Sequence, residues 1–148
     1  MRLLDADILA YALYDESPAH QDSWQYLENH IKQGNKIHIT LTTILETYNT
    51  LYWYYHIRPR TQLLEKMRLT LELLEPIQTS LQGIAISQTM NIPLGDGFLI
   101  AAAKQNNIPI IVSNDKHIAK TATKQGLVYE NPITDKTRKK LSDQTPEQ

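Results

Sequence analysis

The stretch IPIIVSND, Ile108 to Asp115, decides how the chain folds. Ile108 to Val112 is a continuous apolar run, and such a run suits a strand buried on both faces of a parallel sheet. It ends on Ser113, Asn114 and Asp115, so an acid stands just beyond its carboxyl end. At the start of the chain Arg2 to Leu4 is a second short apolar run, and it stops abruptly at Asp5. Ile37 to Leu41, the surroundings of Ile77, and Leu127 to Tyr129 read as the remaining strands.

Helical patterns fill the intervals. Ile8, Leu9, Ala12 and Leu13 recur at helical spacing. Pro18 opens a second helix at a favourable first-turn position; His20, Trp24, Leu27 and Ile31 line one face and Gly34-Asn35 ends it. Thr42 or Thr43 can cap the helix that carries Ile44, Leu45, Tyr48, Leu51 and Tyr52 and ends before Pro59. A helix from about Thr61 to Leu74 has Leu64, Met67, Leu71 and Leu74 as its stripe. Leu81 to Met90, the run FLIAAAK at Phe98 to Lys104, and Lys116 to Gln125 complete the set. Strands alternating with helices mean an α/β fold with a largely parallel sheet. Residues 1–133 read as one domain and 134–148 as a polar, flexible tail.

Composition narrows the chemistry. The 148 residues suffice for one domain with a real core. There are no cysteines, which removes disulfides, thiolate metal sites and a cysteine nucleophile. The net charge of −1 is no nucleic-acid signature, so any phosphate-binding groups must be local. Two acids interrupt the only apolar stretch near the start, and no segment is long enough to span a membrane, so a cytoplasmic location is expected.

The acids gather where ligands bind in such folds, beyond the carboxyl ends of the strands. Asp5 closes the first strand and Asp115 follows the strand at Ile108 to Val112. Asp96 starts a helix between Gly95 and Gly97, and Glu46 reads as first-turn in the helix after the second strand. Crowded carboxylates cannot all stay ionised unless a cation lies among them, and an all-oxygen set suits Mg2+ or Mn2+. Three of these acids also have an ordinary structural role open to them, whereas Asp5, ending a strand inside an apolar run, has no capping role to explain it. Asp96 and Asp115 are good helix caps and Glu46 complements a helix dipole. Asp7 reads as the cap of the first helix rather than as a ligand.

Four segments, LLDADILAY, TLTTILETYNTL, PLGDGFLIAAAK and IPIIVSNDKHI, occur in that order and resemble the signature segments of PIN-domain nucleases, in particular the VapC-like toxins of toxin–antitoxin pairs. The resemblance extends to about Pro132. It implies a three-layer sandwich around a five-stranded parallel sheet in order 3-2-1-4-5, and Mg2+- or Mn2+-dependent cleavage of RNA. Asp5, Glu46, Asp96 and Asp115 match the family's acids, and Ser113 the small hydroxyl residue before the last of them. Asp5, Asp96 and Asp115 would then hold the metal, directly or through water. Glu46 would ligate it or orient the attacking water, and Ser113 would bond a carboxylate or phosphate. The chain departs from the family at Asp7, where Asn is usual, at Gly97, where Ala is usual, and at His117, where many members add an acid.

Two other readings compete. A phosphatase of the haloacid-dehalogenase type would use Asp5 as nucleophile and Asp7 as acid/base. A catalytically inactive binding module would keep the fold only to engage a protein. Among partners, an RNA substrate, an antitoxin protein and a second copy of the chain are expected. The aromatic run Tyr48, Tyr52, Trp53, Tyr54, Tyr55 and His56 with Arg58 and Arg60 reads as an interface in preference to an RNA-stacking rim. Lys104, Lys116 and Lys120 lie near the acids, and Arg138, Lys139 and Lys140 form the densest basic cluster.

Overall fold

The computed structural model describes residues 1–144. Its strands are β1 (Arg2–Leu4), β2 (Ile37–Thr40), β3 (Glu75–Ile77), β4 (Ile110–Val112) and β5 (Val128–Glu130). They form one parallel sheet in the order β3-β2-β1-β4-β5. The helices are α1 (Ala6–Leu13), α2 (His20–Lys32), α3 (Leu41–Asn49), α4 (Arg60–Leu71), α5 (Gln82–Met90), α6 (Leu94–Gln105), α7 (Lys116–Lys124) and α8 (Asp135–Gln144). A π-type turn over Thr50–Tyr54 extends α3.

Successive residues of a strand point to opposite faces, and the core divides accordingly. Leu3 packs with Leu99, Ile100, Ile111 and Ile118 on one side of the sheet. Its neighbour Leu4 packs with Ile8, Ile39, Leu51 and Val112 on the other. Helices therefore cover both faces, the three-layer arrangement expected. Arg2 pairs with Ile37 of β2 on one side and Ile110 of β4 on the other, so strand order reverses at β1. A crevice opens at such a reversal, beyond the carboxyl ends of β1 and β4.

Several boundaries differ from the sequence reading. β4 begins at Ile110, because the Ile108 N–H donates to the Ala103 carbonyl (2.9 Å) and closes α6 instead. Thr40, not Thr42 or Thr43, caps α3, its hydroxyl accepting from the Thr43 N–H at 3.1 Å. The buried stripe of α4 is Leu63, Met67 and Thr70, with Leu74 beyond it, while Leu64 is exposed. Residues expected in a flexible tail form α8 as far as Gln144: Thr134 Oγ1 accepts from the Thr137 N–H (3.3 Å) and Leu141 packs on the core. The end of that tail, residues 145–148, lies outside the described residues.

Candidate active site

Two strand ends deliver the first acids. Asp5 follows β1 and stays tied to β4, its N–H donating to the Val112 carbonyl at 2.9 Å. Its extended backbone makes it the N-cap of α1, and Oδ1 accepts from the Ala6 N–H at 2.7 Å. Ser113 follows β4 and is fully buried. Its hydroxyl donates to Asp5 Oδ2 at 2.7 Å and accepts from the Asp115 N–H at 3.0 Å. One hydroxyl thus locks both acidic loops together. Asp115 caps α7 by accepting from the His117 N–H at 2.8 Å.

Two helices bring the other acids. Asp96 is in the first turn of α6 but does not cap it; Pro93 holds the cap position and makes no side-chain bond. Glu46 sits in the second turn of α3, one turn later than expected, because α3 starts at Leu41. It lies against the start of α6: a Cβ placed on Gly95 would come within 2.6 Å of Glu46 Oε1. The absence of a side chain at Gly95 is what lets that carboxylate reach the crevice.

Asp7 corrects the sequence reading. Asp5 takes the cap, and Asp7 turns inward to the loop after β4. Its Oδ1 accepts from the Ile8 N–H (2.7 Å) and its Oδ2 from the Asn114 N–H (2.8 Å), with Ser113 Oγ at 3.4 Å. The available signal is the pair of acids two residues apart at a strand end, both inside an apolar stretch.

The acids feel one another. Burial, reinforced by the charge of Asp115, raises the Asp5 carboxyl above the ordinary range against the pull of its bonds from Ser113 and Ala6. Burial and the charge of Asp5 push Asp7 up further. Glu46, the most open of the set, is raised by partial desolvation and by Asp5. Asp96 is pushed up to about 7 by desolvation and then by Asp5, Asp115 and Glu46. Three separately positioned carboxylates acting on a fourth define a shared volume of negative potential, which is where a cation gains most. The donors are all oxygen. Among the described residues no group of three His, Cys, Asp or Glu is arranged to hold a metal ion as it stands. An all-oxygen donor set is the chemistry that a small hard ion retaining several waters prefers. Among the described residues no helix is long and apolar enough to cross a membrane.

Residues 2–124 match the PIN domain family. No curated protein matches the chain. VapBC2 from Rickettsia felis, bound to a DNA fragment from its promoter, has a similar fold: TM-score 0.66, 20% identity, 88% of this chain and 97% of that one covered. A toxin–antitoxin complex from Klebsiella pneumoniae gives 0.63 at 20% identity, covering 90% and 98%. The sarcin–ricin loop cleaving toxin VapC20 of Mycobacterium tuberculosis gives 0.64 at 9% identity, covering 81% and 94%. At these identities the likeness is one of fold.

Proposed function

The chain belongs to the PIN domain family, and from that premise we propose that it is a divalent-metal-dependent endoribonuclease, the toxin of a toxin–antitoxin pair acting in the cytoplasm. The observation that carries this reading is the shared acid volume at the carboxyl ends of β1 and β4, with Asp96 raised to about 7 by burial and three neighbouring acids. The likeness to toxin–antitoxin complexes supports an antitoxin partner, and the likeness to an RNA-loop-cleaving toxin supports RNA as substrate.

Asp5, Asp96 and Asp115 would hold Mg2+ or Mn2+, directly or through water. When bound, the ion supplies a Lewis acid for the phosphoryl oxygen and makes water a stronger acid near neutral pH. Ser113 acts through others: its hydroxyl is committed to Asp5 and to the Asp115 amide, so it fixes how those carboxylates face the crevice. Glu46, more open and raised, would orient the incoming water and accept its proton. Asp7 anchors the loop after β4. Its two amide bonds and its enclosure leave it unsuited to the acid/base role that the phosphatase reading demands.

Cleavage of RNA in Mg2+ by the full chain and by Asp5→Asn tests this. Asn caps a helix as well as Asp does, so the fold should be kept. Cleavage should fall by more than about 100-fold, since even the groups that merely support metal ligands are worth about 10–100-fold. Undiminished cleavage, or cleavage indifferent to EDTA, would sink the proposal. Hydrolysis of a chromogenic phosphomonoester with RNA left intact would favour the phosphatase instead. A second copy of the chain is proposed as a further partner, on the strength of the apolar side chains that α3 leaves exposed.

A further inference from the structure

The chain's charge is spread unevenly, and the acid site does not account for the basic part. α7 and α8 carry seven Lys and Arg against Asp135 and Asp143, a balance of +5, which leaves −6 for the rest of a chain of net charge −1. An open cleft of about 910 Å³ runs between the start of α7 and α8, and Asp115, Lys116, His117, Arg138 and Lys139 are among the residues lining it. It therefore begins at one of the proposed ligands and leads away between walls that carry Lys116, Arg138 and Lys139 together with Asp135 and Asp143.

The helix that forms the second wall is anchored. Leu141 packs on the core, and Arg138 donates to the Ile133 carbonyl at 2.7 Å while pairing with Asp135. Arg138's charge is thus partly answered from within α8. Lys116 and Lys139 differ: both are exposed, and neither takes part in an ion pair among the described residues. Two uncommitted ammonium groups on opposite walls, beside a cluster of carboxylates that repels phosphate, are what a polyanion needs in order to approach that cluster at all. A single strand, with its phosphates and bases both accessible, is the form such a cleft can take.

We propose that this cleft carries the single-stranded RNA next to the cut bond, with Lys116 and Lys139 gripping its phosphates from the two sides. The proposal rests on the ribonuclease reading above. It assigns a substrate-binding role to α8, a segment whose composition alone reads as a tail.

Fluorescence anisotropy of a short labelled single-stranded RNA, in EDTA so that no strand is cut, compares the full chain with Lys116→Glu/Lys139→Glu. The variant should bind at least about tenfold more weakly at physiological salt. Its plot of log affinity against log salt should be shallower by about 1.4, roughly 0.7 for each phosphate that is no longer neutralised. The matched pair Lys32→Glu/Lys36→Glu, beside the start of β2, changes net charge equally and should bind as the wild type does. Unchanged melting temperatures in both variants show that folding is not the cause. Equal losses in the two pairs, no loss in the cleft pair, or no RNA binding by the wild type in EDTA would each overturn the proposal. So would a cleft pair that loses an acidic peptide but keeps RNA, since the cleft would then serve a protein partner. RNA cleavage by the wild type in Mg2+, scored separately, tells a failure of the cleft assignment from a failure of the ribonuclease reading.

Discussion

Gly95 and Glu46 form a pair whose importance appears only in three dimensions. A methyl group at Gly95 would lie 2.6 Å from Glu46 Oε1, and only the tip of a flexible side chain stands in its way. Gly95→Ala should therefore fold as well as the wild type or better, since Ala gains up to about 1 kcal/mol over Gly inside a helix. Glu46 must swing aside, however, and RNA cleavage should fall roughly tenfold or more. Thermal melts and a cleavage assay check the two halves, and full activity would show that Glu46 is not needed where it stands. At this scale the sequence is legible wherever an acid sits at the end of an apolar run or the start of a helix, which covers Asp5, Asp96 and Asp115. Asp7 escapes such a reading because its partner, the Asn114 amide, lies 107 positions away in the chain. Local spacing marks Asp7 as a second acid at the strand end but does not say which distant group it meets.

The α5–α6 crossing decides where Asp96 stands. A Cβ on Gly97 would overlap the Ser87 side chain and the Gly83 carbonyl, and one on Gly83 would meet the Phe98 backbone at 2.8 Å. The two helices thus touch nearly backbone to backbone, and a side chain at Gly97 has no room. Gly97→Ala should destabilise by about 1–3 kcal/mol, the cost of overfilling a packed contact, read as a lower midpoint in denaturant. An unchanged midpoint would mean that the helices separate freely. Apolar runs and helical periodicity reveal the strands and most of the helices. Phase is harder: in α4, Leu63 and Leu64 are adjacent, so stripes starting at either have the same period, and only packing selects Leu63. The single apolar residue by which α8 packs on the core, Leu141, is hidden among polar and charged neighbours.

The whole molecule leaves apolar surface uncovered beside the site. Leu41 and Leu45, one turn apart on α3, are 77% and 59% exposed, and Trp53 is 60% exposed in the turn that follows. A homodimer through this face predicts a dimeric mass in light scattering that Leu45→Glu reduces to a monomer; a monomeric wild type at high concentration would remove the dimer. The reversal of strand order at β1 gives these parts their common place, because the paired strands β1 and β4 send their following helices, α1 and α7, to opposite faces of the sheet and a crevice opens beside Asp5 and Asp115. The claim that this crevice holds a divalent cation is tested most directly by soaking crystals in Mn2+ and locating the ion from its anomalous scattering. The expected result is a peak among Asp5, Asp96 and Asp115, within direct or water-mediated reach of each, with Glu46 at its rim. No peak at the carboxyl ends of β1 and β4, or Mn2+ held only elsewhere on the surface, would contradict it.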